Sequence, residues 1–209
     1  MKNIIVLAGL AFIFGSCGNT QVVSSWKSDN ISTASFHKIM VLGIINEKDR
    51  STRTEIENAL VAQLNNLGYN AVSAMQQYGP KAFDKIEEDA IVEQLKSSGF
   101  DAVITTSMLD KSKEEHYTPG RVSYQPVGIY YNRFRRYYTT IYDRVYTPGY
   151  YTTETNFFLE SNMYDLNSGE LVYSVQGKSF DPASAGALSY DYAKTIVGDM
   201  KKKGVLAKK

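Results

Sequence analysis

Residues 64–72 read Leu-Asn-Asn-Leu-Gly-Tyr-Asn-Ala-Val, and residues 95–103 read Leu-Lys-Ser-Ser-Gly-Phe-Asp-Ala-Val. Both fit one pattern: Leu, three residues, Gly, an aromatic, Asn or Asp, then Ala-Val. Leading into and through the start of the first copy, Ile56, Leu60, Leu64 and Leu67 recur at helical spacing. Thr52 and Glu55 have the spacing of a capping box. Gly68 then stops the helix, because glycine takes the left-handed conformation there at least cost. Upstream of the second copy, Asp84–Ser98 reads as another helix, with Glu87, Glu88 and Asp89 where the helix dipole favours acids. Each copy ends by handing over to an apolar run, Ala71–Ala74 and then Ala102–Leu109. A third run, His37–Ile45 (HKIMVLGII), comes first; it is too short for a helix, and its nearly continuous apolar character fits a strand covered on both faces, central in a sheet. The order β-α-β-α-β follows, and right-handed crossovers place its helices on a common sheet.

Beyond Asn156 the pattern changes period. Phe157, Leu159 and Met163 alternate with Phe158, Glu160 and Tyr164, and Leu171, Tyr173 and Val175 return, which predicts an antiparallel hairpin. Asp165–Glu170 (DLNSGE) supplies its turn; the spacing of Asp165, Asn167 and Glu170 does not place Gly169 where a calcium loop needs it. Asp181 and Pro182 read as N-cap and first position of a last helix, whose inner face is Tyr192, Ala193, Ile196, Val197 and Met200. Lys201–Lys203 suit its carboxyl end and Gly204 closes it. The fold class is therefore α/β (α+β): a mixed sheet with helices packed on one face, then a Tyr-rich segment, a β-hairpin and a C-terminal helix.

Ahead of this fold stands MKNIIVLAGLAFIFGSCGNT. Lys2, an apolar run from Ile4 to Phe14 and small residues before Cys17 have the form of a secretory signal peptide. The run is well short of the roughly 20 residues a membrane-spanning helix needs. Cys17 is the only cysteine of 209 residues, so no disulfide can form within the chain. It stands where signal peptidase would cut, and the stretch resembles the lipobox of bacterial lipoproteins, in which that cysteine is acylated. A lone cysteine at this one position favours that reading over a secreted chain with a spare thiol. The expected organisation is a signal peptide over 1–16, the lipidated Cys17 with a flexible tether over 17–36, and a single α/β domain over 37–209. A tether of that composition reaches roughly 25 Å, and Trp26 is expected to pack onto the domain surface.

Composition removes several function classes. Lys and Arg number 23 and Asp and Glu 22, so no global charge draws the chain to nucleic acid. No phosphate-binding loop, dinucleotide fingerprint, metalloprotease HExxH or nucleophile elbow occurs. His37 begins a strand, where a solvated or capping role outweighs a catalytic one. His116 follows Glu114 and Glu115, but neighbours on an extended chain point to opposite faces, and a ligand set needs three or four convergent groups. No catalytic residue, metal or cofactor is expected, and the chain is read as no enzyme.

One segment stands out. Ten of the 16 Tyr lie between Tyr117 and Tyr151, and five of the seven Arg between Arg121 and Arg144. Pro119-Gly120, Pro126 and Pro148-Gly149 punctuate it as turns between ragged strands. Arg133, Phe134, Arg135, Arg136, Tyr137 and Tyr138 form the candidate binding patch. Tyr offers flat amphipathic faces and Arg planar donors, the types enriched at binding hot spots. The competing reading is a Tyr-rich hairpin whose rings merely cover a sheet.

Lys38–Ile45, the helix start Arg53-Thr54-Glu55, Pro148-Gly149-Tyr150-Tyr151 and Leu159–Asp165 resemble uncharacterised envelope lipoproteins of Bacteroidota-like bacteria. The α/β layout is similar to the periplasmic domain of the curli secretion lipoprotein and to the amino domain of the Tol–Pal propeller protein. That resemblance implies an outer-membrane, lipid-anchored protein on the periplasmic face, with peptidoglycan or other envelope proteins as partners. It implies a non-enzymatic binding or scaffolding role. The alternatives are a subunit of an oligomeric envelope assembly or secretion complex and, behind it, an envelope hydrolase.

Overall fold

The computed structural model describes residues 19–29, 36–81, 83, 86–132 and 137–209. Residues 1–16 and Cys17 lie outside them. The chain separates into two compact units, one from the described parts of Met1–Ser112 together with Asn156–Lys209, the other Lys113–Thr155.

The first unit is built on a six-stranded mixed sheet. Its elements are β1 (Thr20–Lys27), β2 (Lys38–Ile44), α1 (Arg50–Asn65), β3 (Asn70–Ser73), a short α2 (Ala74–Tyr78), α3 (Glu88–Ser97), β4 (Ala102–Thr118), β7 (Tyr150–Asp165), β8 (Leu171–Phe180) and α4 (Ala185–Lys202). β5 (Arg121–Asn132) and β6 (Tyr137–Thr147) lie between β4 and β7 and form a separate two-stranded sheet. The strand order is β1-β8-β7-β4-β2-β3. β2 runs parallel to both β3 and β4, whereas β8 is antiparallel to β7 and β1. The mixed α/β layout read from the sequence is the one observed.

The repeated pattern has a physical meaning. Tyr69 N–H bonds Leu64 C=O at 3.2 Å and Gly68 N–H bonds Asn65 C=O at 3.0 Å. In the second copy Phe100 N–H bonds Leu95 C=O at 3.1 Å and Gly99 N–H bonds Lys96 C=O at 2.9 Å. Both are Schellman closures, which need a positive φ at the glycine; Gly68 has +93° and Gly99 +79°. Each aromatic is then buried, and the next residue enters the sheet, Asn70 N–H on His37 C=O and Asp101 N–H on Lys38 C=O, both 3.0 Å. The last helix closes the same way, with Val205 N–H on Met200 C=O at 2.9 Å.

The strand order adds a layer to the expected layout. From β2 the chain steps outward to β3, then back past β2 to β4. Two right-handed crossovers in opposite directions carry their helices to opposite faces. Ile39 and Val41 accordingly pack with Ile56, Leu60 and Leu64 of α1 and with Leu188, Tyr192, Ile196 and Met200 of α4. Met40 and Val103 face the other way, against Ala74, Leu95, Phe100 and Leu166. The two long helices share one face, and α2 and α3 cover part of the second.

Several local expectations are corrected. The tether read over 17–36 is in part a strand: Thr20–Lys27 pairs antiparallel with β8, from Thr20 opposite Ser179 to Lys27 opposite Tyr173. The Thr20 and Ser179 hydroxyls bond at 2.7 Å, and Val22 packs against the core. The Ser-rich composition hides a run of β-formers, Val22-Val23 and Trp26, whose ladder satisfies the backbone. Trp26 does not pack down; it is 51% exposed. The Thr52–Glu55 capping box does not form, because α1 begins earlier, with Asp49 at the N-cap and no side-chain bond. The last helix is capped not by Asp181 but by Ser184, whose hydroxyl accepts from Ala187 N–H at 3.1 Å. The second helix starts at Glu88, behind Glu87, rather than at Asp84. The DLNSGE turn forms as read: Asp165 Oδ1 accepts from Asn167 N–H at 2.7 Å, and Gly169 has φ +74°.

Candidate functional site

The second unit, Lys113–Thr155, holds most of the Tyr/Arg segment. Its strands are longer and more regular than the sequence suggests. β5 and β6 pair antiparallel from Arg121 opposite Thr147 to Asn132 opposite Tyr137. Pro126 is not a turn but lies inside β5, where the register slips between Pro126 and Gly128. A proline cannot donate to the ladder, so it is tolerated at such a bulge. Pro119-Gly120 and Pro148-Gly149 do break the chain, and they do so opposite each other. A Cβ on Gly120 would sit 2.8 Å from Gly149 N, and one on Gly149 would sit 2.9 Å from Gly120 N. Only two glycines allow this backbone approach.

The Tyr side chains described in this unit are turned to solvent. Tyr117, Tyr124, Tyr146, Tyr150 and Tyr151 are 56–71% exposed, and the Tyr117 and Tyr151 rings meet with centroids 4.8 Å apart. Of the candidate patch, Tyr137 and Tyr138 open β6, their backbones opposite Asn132 and Tyr131. Arg133, Phe134, Arg135 and Arg136 lie outside the described residues, as does Cys17.

His116 has two acid neighbours, Glu114 Oε2 at 3.8 Å on its own strand and Glu154 Oε2 at 3.7 Å on β7. Glu115, next in sequence, is not one of them, as strand alternation requires. Among the described residues no group of three or more His, Cys, Asp or Glu is placed to hold a metal ion. His37 is three-quarters exposed, with Nδ1 3.5 Å from Asp101 Oδ2.

The most tightly organised polar cluster is one that sequence reasoning missed. Glu57, on the inner face of α1, is fully buried. Its Oε1 accepts from Gly43 N–H at 2.9 Å and Arg53 Nε at 3.2 Å. Its Oε2 accepts from the Ser73 hydroxyl at 2.5 Å and Met75 N–H at 2.8 Å. One carboxylate thus joins β2, α1, β3 and α2 with its acceptor sites filled, the condition under which a buried charge is tolerated. Gly43 makes room for it: a Cβ there would lie 2.7 Å from Arg53 Cγ. The sequence signals were a glycine interrupting an apolar strand, and an Arg–Glu pair at i,i+4 whose Glu falls on the apolar face.

A second buried chain of hydroxyls runs Thr106–Ser161–Tyr192, with both oxygen separations 2.8 Å. Tyr173 donates to Asp199 at 2.7 Å. Burial, then the Asp199 hydrogen bond and charge, push the Tyr173 phenol well above its usual range. Burial, helped by the Glu160 charge, outweighs the opposing Ser161 bond to raise Tyr192 as well. Among the described residues the Ser161 hydroxyl is bonded to Thr106 and Tyr192, and it braces α4 on β7.

No protein-family model matches the sequence, and no curated protein matches it. Among solved structures, the chain is similar to the PelC dodecamer from Paraburkholderia phytofirmans, at 12% identity and a TM-score of 0.42, over 85% of this chain and 94% of that one. It is also similar to lipoprotein GNA1162 from Neisseria meningitidis, at 14% identity and a TM-score of 0.43, over 79% and 99%. At these identities and scores the likenesses assign the chain neither a family nor an activity.

Proposed function

We propose that this chain is a lipid-anchored protein of the cell envelope, acylated at Cys17 and held at the periplasmic face of the outer membrane. It acts there as a non-enzymatic binding or scaffolding module, and its binding element is the Tyr/Arg segment 117–151. One observation carries this reading. β5 and β6 form a sheet of only two strands, a construction marginal in water on its own. The tyrosine side chains described in the unit holding it, Tyr117, Tyr124, Tyr146, Tyr150 and Tyr151, are exposed. Peptidoglycan, with its sugars and carboxylates, suits Tyr faces and Arg forks; an envelope protein suits the open strand edges. The test is cosedimentation of the protein with purified sacculi. Replacing Arg133, Arg135 and Arg136 together by Ala is expected to abolish binding without changing the far-UV spectrum. Parent protein that stays in the supernatant overturns the cell-wall form of the reading.

A second reading, a subunit of an oligomeric envelope assembly, is favoured by strand length. β5 has 12 residues and β6 has 11, close to the roughly ten a membrane β-strand uses. Light scattering of the detergent-solubilised protein separates the readings: a ring-sized particle supports the second, a monomer the first.

A further inference from the structure

We propose that the crevice at the carboxyl end of β2 binds a small organic acid, its carboxylate on Arg53 and its apolar body along Ile44, Phe83 and Ile91. The topology creates the opening. The chain leaves β2 toward α1 on one face of the sheet and leaves β3 toward α2 and α3 on the other, and open α/β sheets bind ligands where neighbouring connections part in this way. A cavity of about 510 Å³ lies there, within the size range of small-molecule sites. Arg53 is the only charged side chain among its described lining residues.

The guanidinium is fixed in place and left incompletely paired. Gly43, having no Cβ, lets the Arg53 stem lie across the end of β2. Glu57 holds Nε, and Pro80 C=O receives Nη1 at a long 3.4 Å. No atom among the described residues accepts from Nη2. The Arg53 side chain is nonetheless only 16% exposed. Glu57 does not compete for the outer edge of the fork, since Gly43, Ser73 and Met75 occupy its remaining acceptor positions. A guanidinium held from behind with free N–H groups in front matches a carboxylate.

The rest of the wall specifies an apolar body. Leu42, Ile44, Ile45, Phe83 and Ile91 line the cavity. An adjoining cavity of about 350 Å³ shares Leu42, Ile44 and Ile91 and continues along Val92, Leu95 and Val103. Ile44 is 60% exposed at the end of a strand whose Ile39, Met40, Val41 and Gly43 are buried. A ligand body covering it removes apolar surface from water. This inference concerns the first unit and is independent of the role proposed for the Tyr/Arg segment.

The experiment is a titration of the ¹⁵N-labelled full chain with octanoate, octanol and inorganic phosphate, following the Gly43 and Ile44 amides. Octanoate is expected to shift both saturably, with octanol and phosphate each about tenfold weaker or worse, since each supplies half of the recognition. Ile44→Glu, at an exposed position, is expected to weaken octanoate about tenfold with an unchanged melting temperature. Arg53→Lys keeps the charge beside Glu57 but loses the fork and is expected to weaken it comparably. Absence of a saturable octanoate shift overturns the proposal. So does octanol or phosphate binding as well as octanoate, or octanoate binding that neither substitution weakens.

Discussion

β2 and β5 are both paired strands within one chain, and they are used in opposite ways. In β2 the consecutive residues Ile39, Met40 and Val41 are all fully buried, because alternate side chains enter two different apolar layers. In the β5–β6 sheet Tyr124 is 66% exposed and Tyr146 is 64% exposed, and among the described residues no third strand joins the pair. Backbone pairing is common to both; cover is not. Since burial supplies most of the favourable free energy of folding, the difference separates the part of the molecule that carries stability from the part that offers surface. A stretch rich in Tyr, Thr and Val holds an extended backbone without committing its side chains. Those side chains are then available to a partner.

This contrast can be broken most forcefully in the first unit. Glu57→Ala strips four donors of their acceptor in a buried place, and removing one partner of a buried charge cluster costs about 3–5 kcal/mol. Urea denaturation is expected to show that loss. A change below about 1 kcal/mol would mean that the carboxylate does not join β2, β3 and α1 as described. Gly43→Ala is expected to cost less, about 1–3 kcal/mol, the range for overpacking, since its Cβ would collide with a flexible Arg stem as well as with Glu57. The buried phenols give a pH signature of intermediate size. Tyr173 and Tyr192 have their ionisation pushed up in the native state. Below the ordinary tyrosine value of about 10 both states keep the proton and stability is undiminished. Above it the unfolded chain releases protons that the native chain retains, so stability falls by about 1.4 kcal/mol per pH unit for each phenol. Tyr173→Phe is expected to halve that slope, and an unchanged slope would show that its burial does not govern ionisation.

What the sequence discloses follows the same division. The two Leu-x-x-x-Gly-aromatic copies disclose the helix ends and the strands behind them, because a Schellman closure depends on a few neighbouring residues. The turn at Asp165–Glu170 is legible for the same reason. β1 was not legible: Gln21-Val22-Val23-Ser24-Ser25-Trp26 has a ragged pattern, and its ladder depends on β8, some 150 positions away. Nor could spacing alone show that β2 lies between β3 and β4, which sends the helices to both faces. The Glu57 cluster draws on Gly43, Arg53, Ser73 and Met75 from four elements, so only the assembled sheet reveals it. The Tyr/Arg segment was legible as composition, not as two strands joined in register.

The smallest expected effect is the most discriminating one for the second unit. Tyr124→Ala and Tyr146→Ala remove side chains about two-thirds exposed, on strands whose register places Tyr146 opposite Val122 and Tyr124 opposite Arg144. Surface substitutions of this kind change stability by no more than about 0.5 kcal/mol. The urea midpoint of the protein is therefore expected to stay within error of the parent, while retention by sacculi or by an envelope partner falls. Hydrogen exchange sharpens the same point. Amides of β5 and β6, a sheet of two strands among the described residues, are expected to exchange through local opening, well before those of β2, which require the unit to unfold globally. If instead the two substitutions lower the urea midpoint as a core deletion does, the tyrosines are structural, and the segment loses its claim to be a binding surface. If stability holds and binding falls, exposure at these positions is the property that the segment's composition maintains.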